Sequence, residues 1–145
     1  MNTKTDRTNV ARQFIEAIPH SRALAMSLDE IGDGVAKISM PYDERFIGDP
    51  ATGVIHGGAV FALMDTCSGA AVMSHEQAPI GTATIDLRID YMRAATPGQR
   101  IRARAECYHV TRSVAFVRAT AVDDDDGNPV ASATGAFTFQ RAKGA

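Results

Sequence analysis

The chain has 145 residues, which fits one domain whose folding removes roughly two-thirds of the unfolded surface from water. Its net charge of −2 and pI near 6.0 give no whole-chain electrostatic reason to expect nucleic acid or an anionic membrane as partner. Two cysteines without CxxC or Cys/His spacing argue against structural zinc and a secreted disulfide scaffold, and the polar start MNTKTDRTNV and the lack of an apolar run near ~20 residues predict a soluble, cytoplasmic single domain over residues 1–145.

In chain order, TNVARQFIEAI at 8–18 places Val10, Phe14, Ala17 and Ile18 at helical spacing, with Pro19 as the stop, and predicts a short amphipathic helix. ALAMSLDEI and VAKISM flank the turn-rich GDG at 32–34 and predict a hairpin, followed by a loop through PYDERFIGDPATG. Residues 57–75 lack proline and clustered β-branched residues. They are apolar all round, which predicts a central buried helix of about five turns.

From Ile80 onward the period becomes two. In TATIDLRIDYM, Ala83, Ile85, Leu87, Ile89 and Tyr91 fall on one face and Thr82, Thr84, Asp86, Arg88 and Asp90 on the other, predicting a long half-buried strand. PGQ, HVTRS and DDDDGNP separate three further runs, as in an antiparallel meander, with Asp123–Asp126 as a solvated loop tip. Alanines paired at i, i+2 (103/105, 119/121, 131/133, then Gly135) form a small-residue face that a helix can approach closely. The expected class is α+β, a long antiparallel sheet wrapped around one central helix.

The segment GVIHGGAVFALMDTCSGAA, residues 53–71, raises the chemical question. Gly57 and Gly58 fall in a first helical turn, whose N–H groups lack intrahelical acceptors and whose dipole favours negative charge. They could hold an oxyanion, or simply let the chain turn tightly into the helix. Asp65 has Phe61, Ala62, Ser68 and Gly69 as its i±3 and i±4 neighbours and hence no cationic partner on its own helix. It must face a polar cavity or another subunit, as a general base or nucleophile, or else be a carboxylate satisfied by Thr66, Ser68 or water at an interface. His56 and Asp65 are nine apart, on opposite sides of one helix and about 13 Å apart along it, so they form no dyad within one chain.

The same segment, followed by TIDLRIDYMRAATPG, resembles the hotdog-fold acyl-CoA thioesterases of the phenylacetic-acid-degradation (PaaI) type, within the 4-hydroxybenzoyl-CoA thioesterase superfamily, over roughly residues 20–140. The resemblance implies thioester hydrolysis in which the Gly57 amide is the oxyanion donor and Asp65 the catalytic carboxylate. It also implies that the Thr84 hydroxyl orients the attacking water, and that the site is assembled across a homodimer or a dimer-of-dimers homotetramer. His56 would fix the entrance loop through a ring hydrogen bond, or is an ordinary packed histidine. Gly58 stands beside the substrate. Where some relatives carry an asparagine three residues before the glycine matching Gly53, this chain has Pro50, which supplies no donor.

Seven arginines and no lysine lie between Arg88 and Arg118; Arg93 and Arg112 are candidates for CoA phosphates, against a plainer reading as solvated strand residues like Arg102 and Arg104. No metal or separate cofactor is expected, CoA being part of the substrate. The chain has no GxGxxG, P-loop or GxSxG motif. Two other readings are a noncatalytic acyl-CoA-binding hotdog protein and, less well matched because an Asp-x-x-x-x-His helix pattern is missing, a hotdog dehydratase.

Overall fold

The computed structural model describes residues 3–144, with side chains described from Thr8 onward. Two helices, α1 (Thr3–Ala17) and α2 (Pro19–Ala23), precede the hairpin β1 (Ser27–Gly32) and β2 (Val35–Met40). A 3-10 turn at Glu44–Phe46 leads into the short strands β3 (Ile47–Asp49) and β4 (Val54–Ile55), then the long helix α3 (Gly57–Met73). Strands β5 (Thr84–Tyr91), β6 (Ile101–Val110), β7 (Val114–Val122) and β8 (Ala131–Thr138) complete the chain.

Pro19 ends α1 but also opens α2, where its fixed φ and missing N–H suit the first helical position. The apolar face of α1 is not the one its spacing suggested. Ile15 is buried with Ala11 packed beside it, whereas Val10 and Phe14 are exposed, because Arg12 Nε donates to Leu28 O (3.2 Å) and Glu16 Oε1 accepts from Leu28 N–H (3.3 Å), turning the neighbouring face onto β1. In the β1–β2 hairpin Asp33 (φ 53) and Gly34 (φ 82) both adopt the left-handed conformation that a two-residue Asp-Gly turn requires. The predicted loop at 41–53 contains β3, which pairs with β4 just beyond it; both strands are too short for a sequence period to register.

The sheet order is β1-β2-β6-β7-β8-β5, all antiparallel. Strands β6 to β8 form the expected meander, but β5 crosses over to pair with β8 instead of β6, which leaves the other edge of β5 free. Helix α3 lies across the small-residue face. Leu63, Met64, Cys67 and Ala71 are fully buried against Ala36, Ala105, Ala119 and Ala121, and these methyl-sized side chains let the helix axis come close enough for interior packing density. The Cys67 thiol donates to Ala36 O at 3.3 Å, and burial pushes its pKa up to about 12, which keeps it a protonated core residue and not a nucleophile. Among the described residues no helix is long and apolar enough to cross a membrane.

One irregularity decides what the site contains. Thr84 pairs with Phe137 and Asp86 with Ala136, so Ile85 is an extra residue, a β-bulge. Beyond it the alternation is regular, with Leu87 and Ile89 half-buried toward the helix and Arg88 and Asp90 exposed. The bulge reverses the facing of Thr84, just before it, relative to that alternation. Thr84 joins the helix-facing side opposite buried Phe137, and Ile85 is left 56% exposed. This corrects the period-two reading, which put Ile85 inside and Thr84 outside. Gly135 makes the close pairing with β5 possible, since a Cβ there would run into the Asp86 carbonyl and the Leu87 side chain.

Candidate active site

At the start of α3, His56 is the N-cap, and its Nδ1 accepts the Gly58 N–H at 2.8 Å. That contact also explains the second glycine, because a Cβ on Gly58 would lie 2.9 Å from the same ring nitrogen. The Gly58 amide is therefore committed to the cap and is not available to a ligand, unlike the expectation for this residue. The Gly57 N–H differs: among the described residues it makes no hydrogen bond. The Gly57 carbonyl accepts from Tyr91 Oη at 2.8 Å, which ties the helix start to the end of β5. A free amide at a helix N-terminus, with the dipole behind it, is able to donate to an anion.

Two turns further along α3 the bulge-directed Thr84 Oγ1 donates to Asp65 Oδ1 at 2.7 Å. The carboxylate is half-buried, with no cation bonded to it among the described residues. The hydroxyl fixes one oxygen and leaves the other open to accept a proton from water or to attack an electrophile. Gly57 and Asp65 thus stand at opposite ends of the same strand, Gly57 against Tyr91 and Asp65 against Thr84.

An open cleft of about 390 Å³ beside the helix start is lined by Val54, Ile55, Gly57, Val60, Tyr91, Ala94, Ala95 and Val130. Arg93 also lines it, but its charge is turned away. Nη1 and Nη2 donate to the two oxygens of Asp123 at 2.7 Å each, Nε donates to Asn128 O at 2.9 Å, and Ala94 O and Asp125 O take the remaining protons at 3.2 and 3.5 Å. All five guanidinium donors are spent inside the protein. Arg93 therefore clamps the β7–β8 turn to the end of β5 and has nothing left for a phosphate.

The partner in that clamp corrects another expectation. Asp124, Asp125 and Asp126 are exposed, but the side chain of Asp123 is fully buried, also accepting from Thr96 N–H (3.0 Å) and Asp125 N–H (3.1 Å). The Arg93 guanidinium, opposed by burial and helped by the two backbone N–H groups, holds the Asp123 carboxyl well below the usual carboxylate range. A carboxyl whose folded value is depressed adds stability that is complete above about pH 4, where the unfolded residue is ionised, and is lost as pH falls below it toward the folded value. Asp123→Asn is expected to lower the thermal midpoint at pH 7 by about 5–10 °C and to flatten its decline below pH 4, both read by calorimetry across pH. An unchanged midpoint would deny the clamp its role.

Arg112 lies exposed in the β6–β7 turn, at the Thr84 end of the sheet, and Arg141 joins it there, its Nε donating to Arg112 O at 2.9 Å. Pro50 is exposed in the turn between β3 and β4, where Asp49 accepts from Ala51 N–H (3.0 Å) and Thr52 Oγ1 (2.9 Å). Sequence reasoning missed Tyr91 as a site residue. Its placement in a strand-period face concealed that its hydroxyl reaches the helix start.

With this geometry in place, the chain can be set beside known proteins. Residues 52–130 match the sequence profile of the thioesterase superfamily, and the chain belongs to that superfamily. It is 27% identical over 141 residues to the Escherichia coli medium/long-chain acyl-CoA thioesterase YigI, covering 88% of this chain and 90% of that one. A crystal structure from Pseudomonas aeruginosa superposes with a TM-score of 0.81 at 38% identity, covering 92% of this chain and 98% of the other. The E. coli PaaI protein from the phenylacetic acid degradation operon shares the fold, with a TM-score of 0.81 at 20% identity over 94% of each chain. The resemblance to hotdog acyl-CoA thioesterases, and the α+β hotdog architecture with it, is borne out.

Proposed function

We propose that the protein hydrolyses acyl-CoA thioesters at a site built from two protomers. The observation that carries this is the pairing of the free Gly57 N–H and the Thr84-held Asp65 at the two ends of one free-edged strand. If β5 meets its own copy antiparallel about a two-fold axis, Thr84 of one chain lies near Tyr91 of the partner subunit. Asp65 then faces Gly57 of the partner subunit. The apolar side chains left exposed on and beside this edge, Ile85 (56%), Tyr91 (52%) and Met92 (60%), supply the surface such contact would bury.

In this arrangement the Gly57 N–H polarises the thioester carbonyl and receives the oxyanion of the tetrahedral intermediate. Asp65 takes a proton from the attacking water, or attacks the carbonyl itself to give an anhydride that water opens. In either case the C–S bond breaks, CoA leaves as thiolate, and the acid is released. Thr84 holds the carboxylate in place, His56 and Tyr91 hold the Gly57 turn, and Arg112 at the exposed rim is the remaining arginine candidate for the CoA phosphates. The reaction needs no metal or further cofactor, and the chemistry suits a soluble cytoplasmic enzyme working as a homodimer or a dimer of dimers.

Thiol release from a panel of short, medium, long and aryl acyl-CoAs tests the activity; binding without release would move the protein to the noncatalytic reading that Pro50 suggests. Thr84→Ala is expected to lower kcat by roughly tenfold, with Thr84→Ser restoring most of it, since only the hydroxyl is at issue. Equal activity in all three proteins would remove Thr84 from the site.

A further inference from the structure

Gly69 lies inside α3, where glycine weakens a helix relative to alanine, and packing gives no reason for it. A Cβ on Gly58 or Gly135 would collide with atoms already in place, but one on Gly69 would meet only the Phe137 ring, at 3.9 Å, an ordinary contact. The missing methyl instead opens space beside the candidate carboxylate. Gly69 follows Asp65 by four residues, so the two share a face of the helix, and a side chain at 69 would lean back toward Asp65. The strands close the same place from the other side: Thr84, which donates to Asp65 Oδ1 at 2.7 Å, is paired with Phe137, the one neighbour of the absent Cβ. Asp65 and Gly69 are both half-buried, whereas Ser68, at i+3 from the carboxylate, is fully buried with a hydroxyl that has no partner among the described residues. Residues 65, 68 and 69 thus gather a carboxylate with one open oxygen, an unspent hydroxyl and a space of about one methyl group, close to the size of one water.

Resting on the hydrolase reading, we propose that Gly69 is a positioning residue, which keeps open the place beside the free Asp65 oxygen where the hydrolytic water is held. Asp65 takes one proton from that water, the water oxygen bonds to the thioester carbonyl carbon, the C–S bond breaks, and CoA leaves as thiolate. An ordered water needs two or more polar partners; the Asp65 carboxylate accepts one of its protons and the Ser68 hydroxyl is the second partner. A methyl group at 69 takes the space of the water and leaves the Thr84–Asp65 hydrogen bond as it is. The helix therefore carries a residue that its own propensity disfavours, for the sake of the chemistry beside it.

The test is Gly69→Ala, compared with the parent in three measurements: thermal midpoint, thiol release from the best acyl-CoA of the panel, and calorimetric binding of the matching 2-oxoalkyl-CoA thioether, which carries a ketone and cannot be hydrolysed. The midpoint is expected to stay or to rise by up to about 5 °C, as alanine favours the helix. Binding of the thioether and KM should remain within about twofold, while kcat falls by ~10²-fold, the scale of losing general-base activation of water. A kcat within about threefold of the parent would overturn the proposal. So would a lowered midpoint, which would mean that the space is not open, or thioether binding weakened along with kcat, which would give the space to the substrate. A burst of one thiol per site followed by stalled turnover would also overturn it, because Asp65 would then attack the thioester itself. A parent that binds the thioether yet releases no thiol from any acyl-CoA would sink the hydrolase reading and this proposal with it, whereas an active parent with an equally active variant would sink the proposal alone.

Discussion

Asp65→Asn is expected to lower kcat for acyl-CoA hydrolysis by ~100-fold or more, the scale of losing a general base, with little change in KM. The substitution is nearly isosteric, and the amide oxygen can still accept the Thr84 hydroxyl that now lies 2.7 Å from Oδ1, so the helix, the bulge and the strand edge should be undisturbed. What is removed is the capacity to take a proton or to attack a carbonyl. Steady-state kinetics, with circular dichroism and sedimentation to show that the variant folds and assembles like the parent, is the measurement. A kcat within about tenfold of the parent would assign the carboxylate a structural role, as a partner of Thr84 and nothing more.

The second large effect is expected at Gly57, and it can be aimed at the backbone. Proline at this position deletes the N–H and no other hydrogen bond, because that amide has no protein acceptor among the described residues. The first position of a helix accepts proline, and the preceding His56, at φ −58 and ψ 133, already has the extended conformation that a following proline demands. Gly57→Pro should therefore fold while losing ~10²- to 10³-fold in kcat, the cost of removing one oxyanion-hole donor. Gly57→Ala keeps the amide, and its Cβ would sit 3.4 Å from the Tyr91 ring, an ordinary contact. It should retain activity within about tenfold, so the difference between the two variants isolates the N–H from the space around it. Equal losses in both would mean that the glycine serves only the turn.

How far the sequence revealed this molecule depends on what carried the signal. The helix at 57–73 was legible because seventeen residues without proline, apolar on every side, have no other stable use, and the alanine pairs at i, i+2 announced the surface it lies on. The meander β6–β7–β8 was legible from its turns. The place of β5 was not, since no local pattern states which strand a neighbour in sequence will pair with. Nor was the bulge at Ile85, since one inserted residue leaves composition and propensity untouched while exchanging the faces on either side.

The site divides along the same line. Asp65 stood out because a carboxylate without a cationic neighbour is unusual in an apolar helix, and Gly57 because it opens the first turn, but the roles expected of both came from the resemblance. Thr84 came from resemblance; the strand period set it on the polar face, and the bulge brings its hydroxyl to Asp65. Arg93 misled in the opposite way. Its charge was legible, but the buried Asp123 that consumes it sits among three exposed aspartates and looks identical to them in sequence. Long-range pairing, in short, was the part that residue types could not express.

The central claim is that each site takes its amide from one protomer and its carboxylate from the other, and mixing the two inactive variants tests it directly. Asp65→Asn and Gly57→Pro proteins, unfolded together in equal amounts and refolded, should give half heterodimers. In each heterodimer one of the two sites combines an intact Gly57 amide with an intact Asp65, so activity should recover to roughly a quarter of the parent value. A mixture no more active than the average of its two components, in a sample shown to contain heterodimers, would contradict the shared site and return both groups to a single chain.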